Sequence, residues 1–228
     1  MKNHFKTVRR MCLALSVMAA ALTSNATLAQ VNGIATADPA VVIAGAKARD
    51  AGYRQINETY SAQIAQIRQM EGDLNTIKQQ LDKNGDKQVD QQEYDSNPNL
   101  VQQMEAKQKQ LSQTSEPIAL AQYYVVEQLI NDYNNARDQV VSKKKISIIL
   151  QPDAIQYAPD EIDVTADLIQ AVDSRLPTVS TAVPQGWQPR RETVQTHQAI
   201  QQILMMAAAQ QQAAARAQQQ SGPSTGGR

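Results

Sequence analysis

The chain is 228 residues long, with 22 basic and 22 acidic side chains, one cysteine and 4% aromatic residues. The even charge balance lacks the net basic footprint of a nucleic-acid binder, and a lone cysteine excludes an internal disulfide framework or a zinc–thiolate cluster. With aromatics so scarce and glutamine abundant, an ordinary globule around one bulky core is disfavoured, because an elongated chain burying one narrow stripe per helix needs fewer large apolar side chains.

Residues 1–29 read as a secretory signal. Lys2, Lys6, Arg9 and Arg10 form a positive start, and Met11 to Thr23 forms a short apolar run. Thr27-Leu28-Ala29 supplies a cleavage site, with Gln30 as the expected mature N-terminus. The apolar run falls short of the roughly 20 residues of a membrane span, so cleavage is expected and stable membrane insertion is not. Cys12 and Phe5 leave with the signal. Four of the 22 basic residues leave too, so the mature chain carries 18 against 22 acidic ones, a net charge of −4. An exported, thiol-free chain fits the periplasm, and it also fits secretion.

The mature chain begins with a strand signal inside residues 30–38, at Gly33 to Ala37. Asp38-Pro39 then reads as a helix N-cap followed by proline in the first turn. Ile56, Tyr60, Ile64, Ile67, Met70, Leu74, Ile77 and Leu81 recur every three or four residues and form one apolar stripe at coiled-coil spacing. A break or loosening is expected near Gly45 and Gly52. A second stripe runs through Val101, Met104, Leu111, Ile118, Val125, Leu129, Tyr133, Ala136 and Val140, with Pro117 expected to kink it. Each arm of roughly 40 residues would reach about 60 Å. Residues 39–145 therefore read as an antiparallel helical hairpin with a polar tip at 82–99.

Residues 146–177 hold the closing elements. Ile146 to Leu150 is a β-branched strand signal, Ile155 to Tyr157 a weaker one, and Asp163 can cap a helix through Leu168, Ile169, Val172 and Leu176. So few short strands make a poor independent sheet, and they are expected to pair with other copies of the chain. The expected fold class is mainly α with a small β body: a long coiled-coil-like hairpin flanked by short strands that assemble in an oligomeric body. Residues 178–191 read as a linker. Residues 192–228 read as a Gln/Ala-rich, helix-prone extension ending in a disordered tail.

The sharpest local motif lies at the hairpin tip. Asp82, Asn84, Asp86, Asp90 and Glu93 place side-chain oxygens at positions 1, 3, 5, 9 and 12 of an EF-hand-like loop, with Gln88 offering its backbone carbonyl. Calcium needs such a ring of hard oxygens. Lys87, however, stands at the sixth position, where glycine usually makes the turn, and a polar hairpin tip would use the same residue types. Calcium is the one cofactor that this spacing admits, and nothing in the chain requires one.

Three stretches carry a resemblance to a known family. They are Gly33-Ile34-Ala35-Thr36-Ala37-Asp38, then Gln69-Met70-Glu71-Gly72-Asp73-Leu74 continuing to Leu81, and finally Ile148-Ile149-Leu150 with Asp153-Ala154-Ile155 and Asp163-Val164-Thr165-Ala166-Asp167-Leu168. Over about residues 31 to 177 the chain resembles the Skp/OmpH family of periplasmic chaperones. The resemblance implies a homotrimer with a central strand body and three helical tentacles. It implies an ATP-independent holdase, not an enzyme, whose cavity holds unfolded outer-membrane β-barrel proteins. Two departures stand out: family members are commonly basic, and the extension after Pro177 has no counterpart in the short members. Two other readings stay open, a calcium-binding helical envelope protein and a structural coiled coil.

The remaining conspicuous residues have bland expectations. His197, without cysteine or a second mature histidine, is expected on a solvated helix face. Trp187 reads as a docking anchor or a local cap. Lys143 to Lys145 suit a helix C-terminus, and Tyr123, Tyr124 and Tyr133 are expected to pack between the arms.

Overall fold

The computed structural model describes residues 33–220; the signal at 1–29 and the tail from Ser221 to Arg228 lie outside the described residues. The protein is mainly α-helical with a minimal sheet. Strand β1 (Ile34–Thr36) leads into α1 (Pro39–Gly45), α2 (Lys47–Thr59) and α3 (Ser61–Leu81). After the tip come the short α4 (Gln91–Ser96) and the 47-residue α5 (Pro98–Lys144), then β2 (Ile148–Leu150), α6 (Thr165–Arg175) and α7 (Arg191–Gln220).

β1 and β2 pair in parallel, with Ile34 opposite Ile148 and Thr36 opposite Leu150. Parallel pairing requires a long crossover, and here the entire hairpin is the crossover. Gly33 starts the pairing at φ +77, and its carbonyl accepts from both Ser147 N and Ile148 N. A Cβ at Gly33 would lie 2.6 Å from Ser147 Oγ, so only glycine fits this entry. Asp38 then caps α1, its Oδ1 accepting from Ala40 N at 2.7 Å with Pro39 in the first turn.

The outgoing arm is segmented. Ala46, extended at ψ 129, separates α1 from α2 immediately after Gly45. A Cβ on Gly45 would sit 2.7 Å from Ile169 Cδ1, so the glycine admits α6 against the arm. Gly52 corrects the expectation of a second break: it lies inside α2, where a Cβ would stand 3.1 Å from both Val125 and Val179. Its role is close approach. Tyr60 divides α2 from α3, yet Tyr60 N still donates to Ile56 O, and Ile64 N to Tyr60 O. The returning arm, α5, is assigned as one helix through Pro117 and spans about 70 Å at 1.5 Å per residue.

Two apolar clusters hold the hairpin. The larger lies at the base, where Val42, Ile43 and Ile56 meet Val125, Val126 and Leu129 of α5, Leu168 and Val172 of α6, and Ile200 of α7. The smaller lies at the tip, where Leu74, Ile77, Leu81 and Met104 are buried with Tyr94, Val101 and Leu111 against them. An ion pair from Lys107 to Asp73 at 2.8 Å ties the arms just below the tip.

The closing segment is less strand-like than the sequence suggests. Residues 155–157 form no strand; they lie between single 3₁₀ turns at Pro152–Ala154 and Asp160–Ile162, and Tyr157 is 86% exposed. The edge of β1 receives instead an isolated parallel bridge from Thr36 to Asp163, and Val164 N donates to Thr36 O. Val164 is the N-cap of α6 and makes no side-chain cap bond; Asp163, one residue earlier, accepts from Thr165 N through Oδ1 at 2.8 Å and so satisfies a first-turn N–H of α6.

Candidate functional site

The acidic loop at the tip is ordered by its own backbone. Asp82 accepts from Gly85 N through Oδ1 (2.7 Å) and from Lys87 N through Oδ2 (2.9 Å). Asn84 Oδ1 accepts from Asp86 N, and Asp86 Oδ1 from Gln88 N. Asp90 and Glu93 form a reciprocal capping box at the start of α4. Glu93 Oε1 also accepts from Lys83 N and Asn84 N at 2.7 and 3.2 Å, and this bonding explains how a glutamate is only 6% exposed at a hairpin tip.

The structure thus brings Asp82, Asn84, Asp86, Asp90 and Glu93 into one loop, with Gln88 contributing its N–H to the same turn network. Among the described residues, no three His, Cys, Asp or Glu side chains converge as a metal-binding group. Each carboxylate is turned toward backbone N–H donors. Lys87 occupies the left-handed region at φ 68, which the tight turn requires and which glycine would adopt without strain. Beside the loop is an open groove of about 470 Å³, lined by Lys78, Asp82, Lys87, Val89, Tyr94 and Met104.

Farther down, the arms separate slightly. A second groove, about 390 Å³, is lined by Ile64, Ile67, Arg68, Glu71, Ile118 and Gln122. Half-buried isoleucines next to charged and amide side chains make a surface suited to many weak, sequence-tolerant contacts. At the root, Ile148, Leu150 and Ile34 are 51%, 38% and 37% exposed, although all three belong to the sheet.

The segment beyond α6 does not behave as a free linker. Gln128 of α5 pins it with two hydrogen bonds to the Ser180 backbone, at 2.8 and 2.9 Å. Trp187 stacks edge-on against Tyr124 at 5.1 Å and directs Nε1 toward Glu127. Glu127 Oε2 also accepts from Thr193 Oγ1 at 2.5 Å and pairs with Arg190. Burial works to raise the Glu127 pKa, but the bonds from Thr193 and the Arg190 backbone, the Arg190 charge and Trp187 outweigh it and hold the carboxyl below its usual value. Arg175 closes the same side with a forked pair to Asp132.

His197 corrects the expectation of a solvated helix face. It is only 8% exposed, with Tyr123 edge-on at 4.9 Å and Tyr53 at 6.4 Å. Tyr123 and Tyr124 accordingly pack against the extension, whereas the expectation had them between the arms. Arg49, Tyr53 and Glu127 receive the extension as well. The sequence signal for Arg49 and Glu127 is a charged residue interrupting a face that is otherwise apolar.

Comparison with known proteins gives a family for this arrangement. No curated protein matches the chain. A crystal structure described as an outer membrane chaperone (OmpH-like) from Caulobacter crescentus CB15 is similar at 19% identity. It covers 65% of this chain and 88% of that one, with a TM-score of 0.38. The sequence profile of the family described as outer membrane protein (OmpH-like) matches residues 33–172, from the first strand through most of α6 and including the whole hairpin. The chain belongs to the OmpH-like outer membrane protein family.

Proposed function

We propose that this chain is a periplasmic holdase chaperone, assembled as a homotrimer, that shelters unfolded outer-membrane β-barrel proteins between its helical arms without ATP. The observation that carries this reading is a mismatch at the root of the hairpin. A 47-residue helix springs from a sheet whose two strands have three residues each. Ile148 remains 51% exposed there. Two-stranded sheets are marginal in water, so strands from further copies of the chain would both cover Ile34, Ile148 and Leu150 and splay several arms around one cavity. Family membership supports the chaperone role. The holding step needs no catalytic group: grooves such as the one beside Ile64 and Ile67 offer weak contacts whose sum depends on confinement.

The test is suppression of aggregation of an unfolded outer-membrane β-barrel, alongside light scattering at micromolar concentration. The expected result is a particle of three chains that keeps the client soluble. Deleting both arms while keeping the strands should leave an assembled, inactive body. A clean monomer, or full activity in the armless form, would refute the reading.

A second reading concerns the tip alone and is favoured by one observation. Lys87 already adopts the left-handed turn that an EF-hand-like loop needs at its sixth position, with its N–H on Asp82. Calcium would be held by Asp82, Asn84, Asp86, Gln88, Asp90 and Glu93, weakly, at roughly 10⁻⁴ to 10⁻³ M. Calorimetry with millimolar calcium on wild type and on Glu93→Gln decides it. Heat that disappears in the variant supports the site, and no heat in wild type leaves a polar turn.

A further inference from the structure

The extension beyond α6 is seated on the hairpin by a polar cluster whose chemistry is unusual for a static contact. Residues 173–220 lie beyond the segment that the family profile matches, while the residues that receive them on α2 and α5 lie within it. His197 of α7 is enclosed by Tyr53 of α2 and Tyr123 of α5. Arg49, one turn before Tyr53, is 6% exposed, and its guanidinium lies 5.2 Å from the centre of the Tyr53 ring. Arg49 Nε and Tyr53 Oη have no hydrogen-bond partner. The interface thus already contains a buried cation and two unpaired polar atoms.

We propose that the segment from Trp187 to Leu204 is a proton-released strap, seated on α1 and α5 with His197 against Tyr53 of α2 while His197 is neutral, and freed when His197 takes up a proton beside the Arg49 guanidinium.

The groups facing His197 make a second positive charge costly. From α2 come Arg49, Asp50 and Tyr53, and the Asp50 carboxylate is already paired with Arg49. From α5 come Tyr123 and, about one turn away, Glu127, which is engaged by Thr193, Trp187 and Arg190. α1, which also packs on α7, has no ionisable side chain between Pro39 and Gly45. The hydrogen-bond partner of the ring is the Gln201 amide, on α7 itself at 3.2 Å. Neither the Asp50 nor the Glu127 carboxylate is free to receive an imidazolium, and burial in low dielectric without such a partner disfavours the charged form.

The sign follows from linkage. Burial, and after it the Arg49 charge, lower the His197 pKa in the seated state. The unseated strap therefore holds more protons, and acid favours release. Seating is complete above the free-histidine value of about 6.5 and weakens below it, by up to about tenfold in the docking constant per pH unit. Release would uncover Tyr53, Tyr123 and Tyr124 and remove the tie between the two arms at their base.

Trp187, the one tryptophan of the chain, reports seating through its contact with Tyr124. Its fluorescence is to be followed from about pH 8 to about pH 5, a range that leaves Glu127 ionised because its pKa lies below the usual carboxylate value. The expected result is a transition with its midpoint below about 6.5, with hydrogen exchange rising over 191–204 while 118–140 stays protected. His197→Gln should abolish the transition, and Arg49→Met, which lets the seated ring hold a proton more readily, should move its midpoint to lower pH. The Arg49 variant keeps the proposal testable if the His197 variant fails to fold. A flat wild-type titration overturns the proposal, as does a His197→Gln protein that titrates like wild type or a midpoint unmoved by Arg49→Met.

Discussion

The base and the tip of the hairpin solve the same problem at different scales. At the base, α1, α2, α5, α6 and the first half of α7 enclose one large cluster in which Ile43, Ile56, Leu129, Leu168 and Ile200 are almost wholly buried. At the tip, four buried residues from two arms make a small cluster, and polar bonding supplies the rest of the order through Glu93 and the Lys107–Asp73 pair. Between them the arms touch along one stripe beside an open groove. A long hairpin in water needs a seal at each end. The sealed ends keep the register of the arms, and the thin middle leaves surface for other chains.

The largest expected effect tests the base. Leu129→Ala removes a fully buried side chain from the centre of that cluster. It should cost about 2–5 kcal/mol of global stability, read as a fall in the denaturant midpoint at unchanged slope. Leu81→Ala removes an equally buried side chain at the tip. There a loss of about 2–4 kcal/mol should stay local, with faster hydrogen exchange over 74–81 and 100–111 and little movement of the main transition. A global fall in stability from Leu81→Ala would show that base and tip are one cooperative unit.

A smaller effect tests the polar half of the tip seal. Glu93→Ala leaves the N–H groups of Lys83, Asn84 and Asp90 without their acceptor. It should weaken the tip by about 1–3 kcal/mol, seen as fast exchange of the loop amides. The smallest change should be a gain. Lys87→Gly removes the strain of a left-handed lysine at φ 68 and should slow tip exchange by about 1 kcal/mol. Faster exchange in that variant would mean that the Lys87 side chain itself holds the loop.

Much of the hairpin was legible in the order of its residues. The stripe from Ile56 to Leu81 and the one from Val101 to Val140 face each other as their spacing implied, because a helix places every third or fourth side chain on one face whatever it later touches. Asp38-Pro39 and Asp163 began helices for an equally local reason, since each aspartate bonds an N–H two residues on. The tip loop was recognisable as a turn. Its carboxylates were readable as a possible ring of ligands, whereas in the fold each is bonded to nearby N–H groups.

What covers each face was not legible, because that depends on residues far apart in the chain. Gly52 looked like a helix breaker and proved to be the place where α5 and Val179 come close. Residues 155–157 had strand-like side chains, but a strand exists only where a partner edge is free, and Asp163 takes the bridge to β1. His197 had the local signature of a surface residue in a glutamine-rich helix, yet Tyr53 and Tyr123, more than 70 positions earlier in the chain, enclose it. The sequence by itself determined the caps, the stripes and the two-armed plan, since these arise from contacts a few residues apart. The tertiary structure alone decided that the extension would close over the hairpin base, because burial is settled by whichever surfaces meet after the helices have formed.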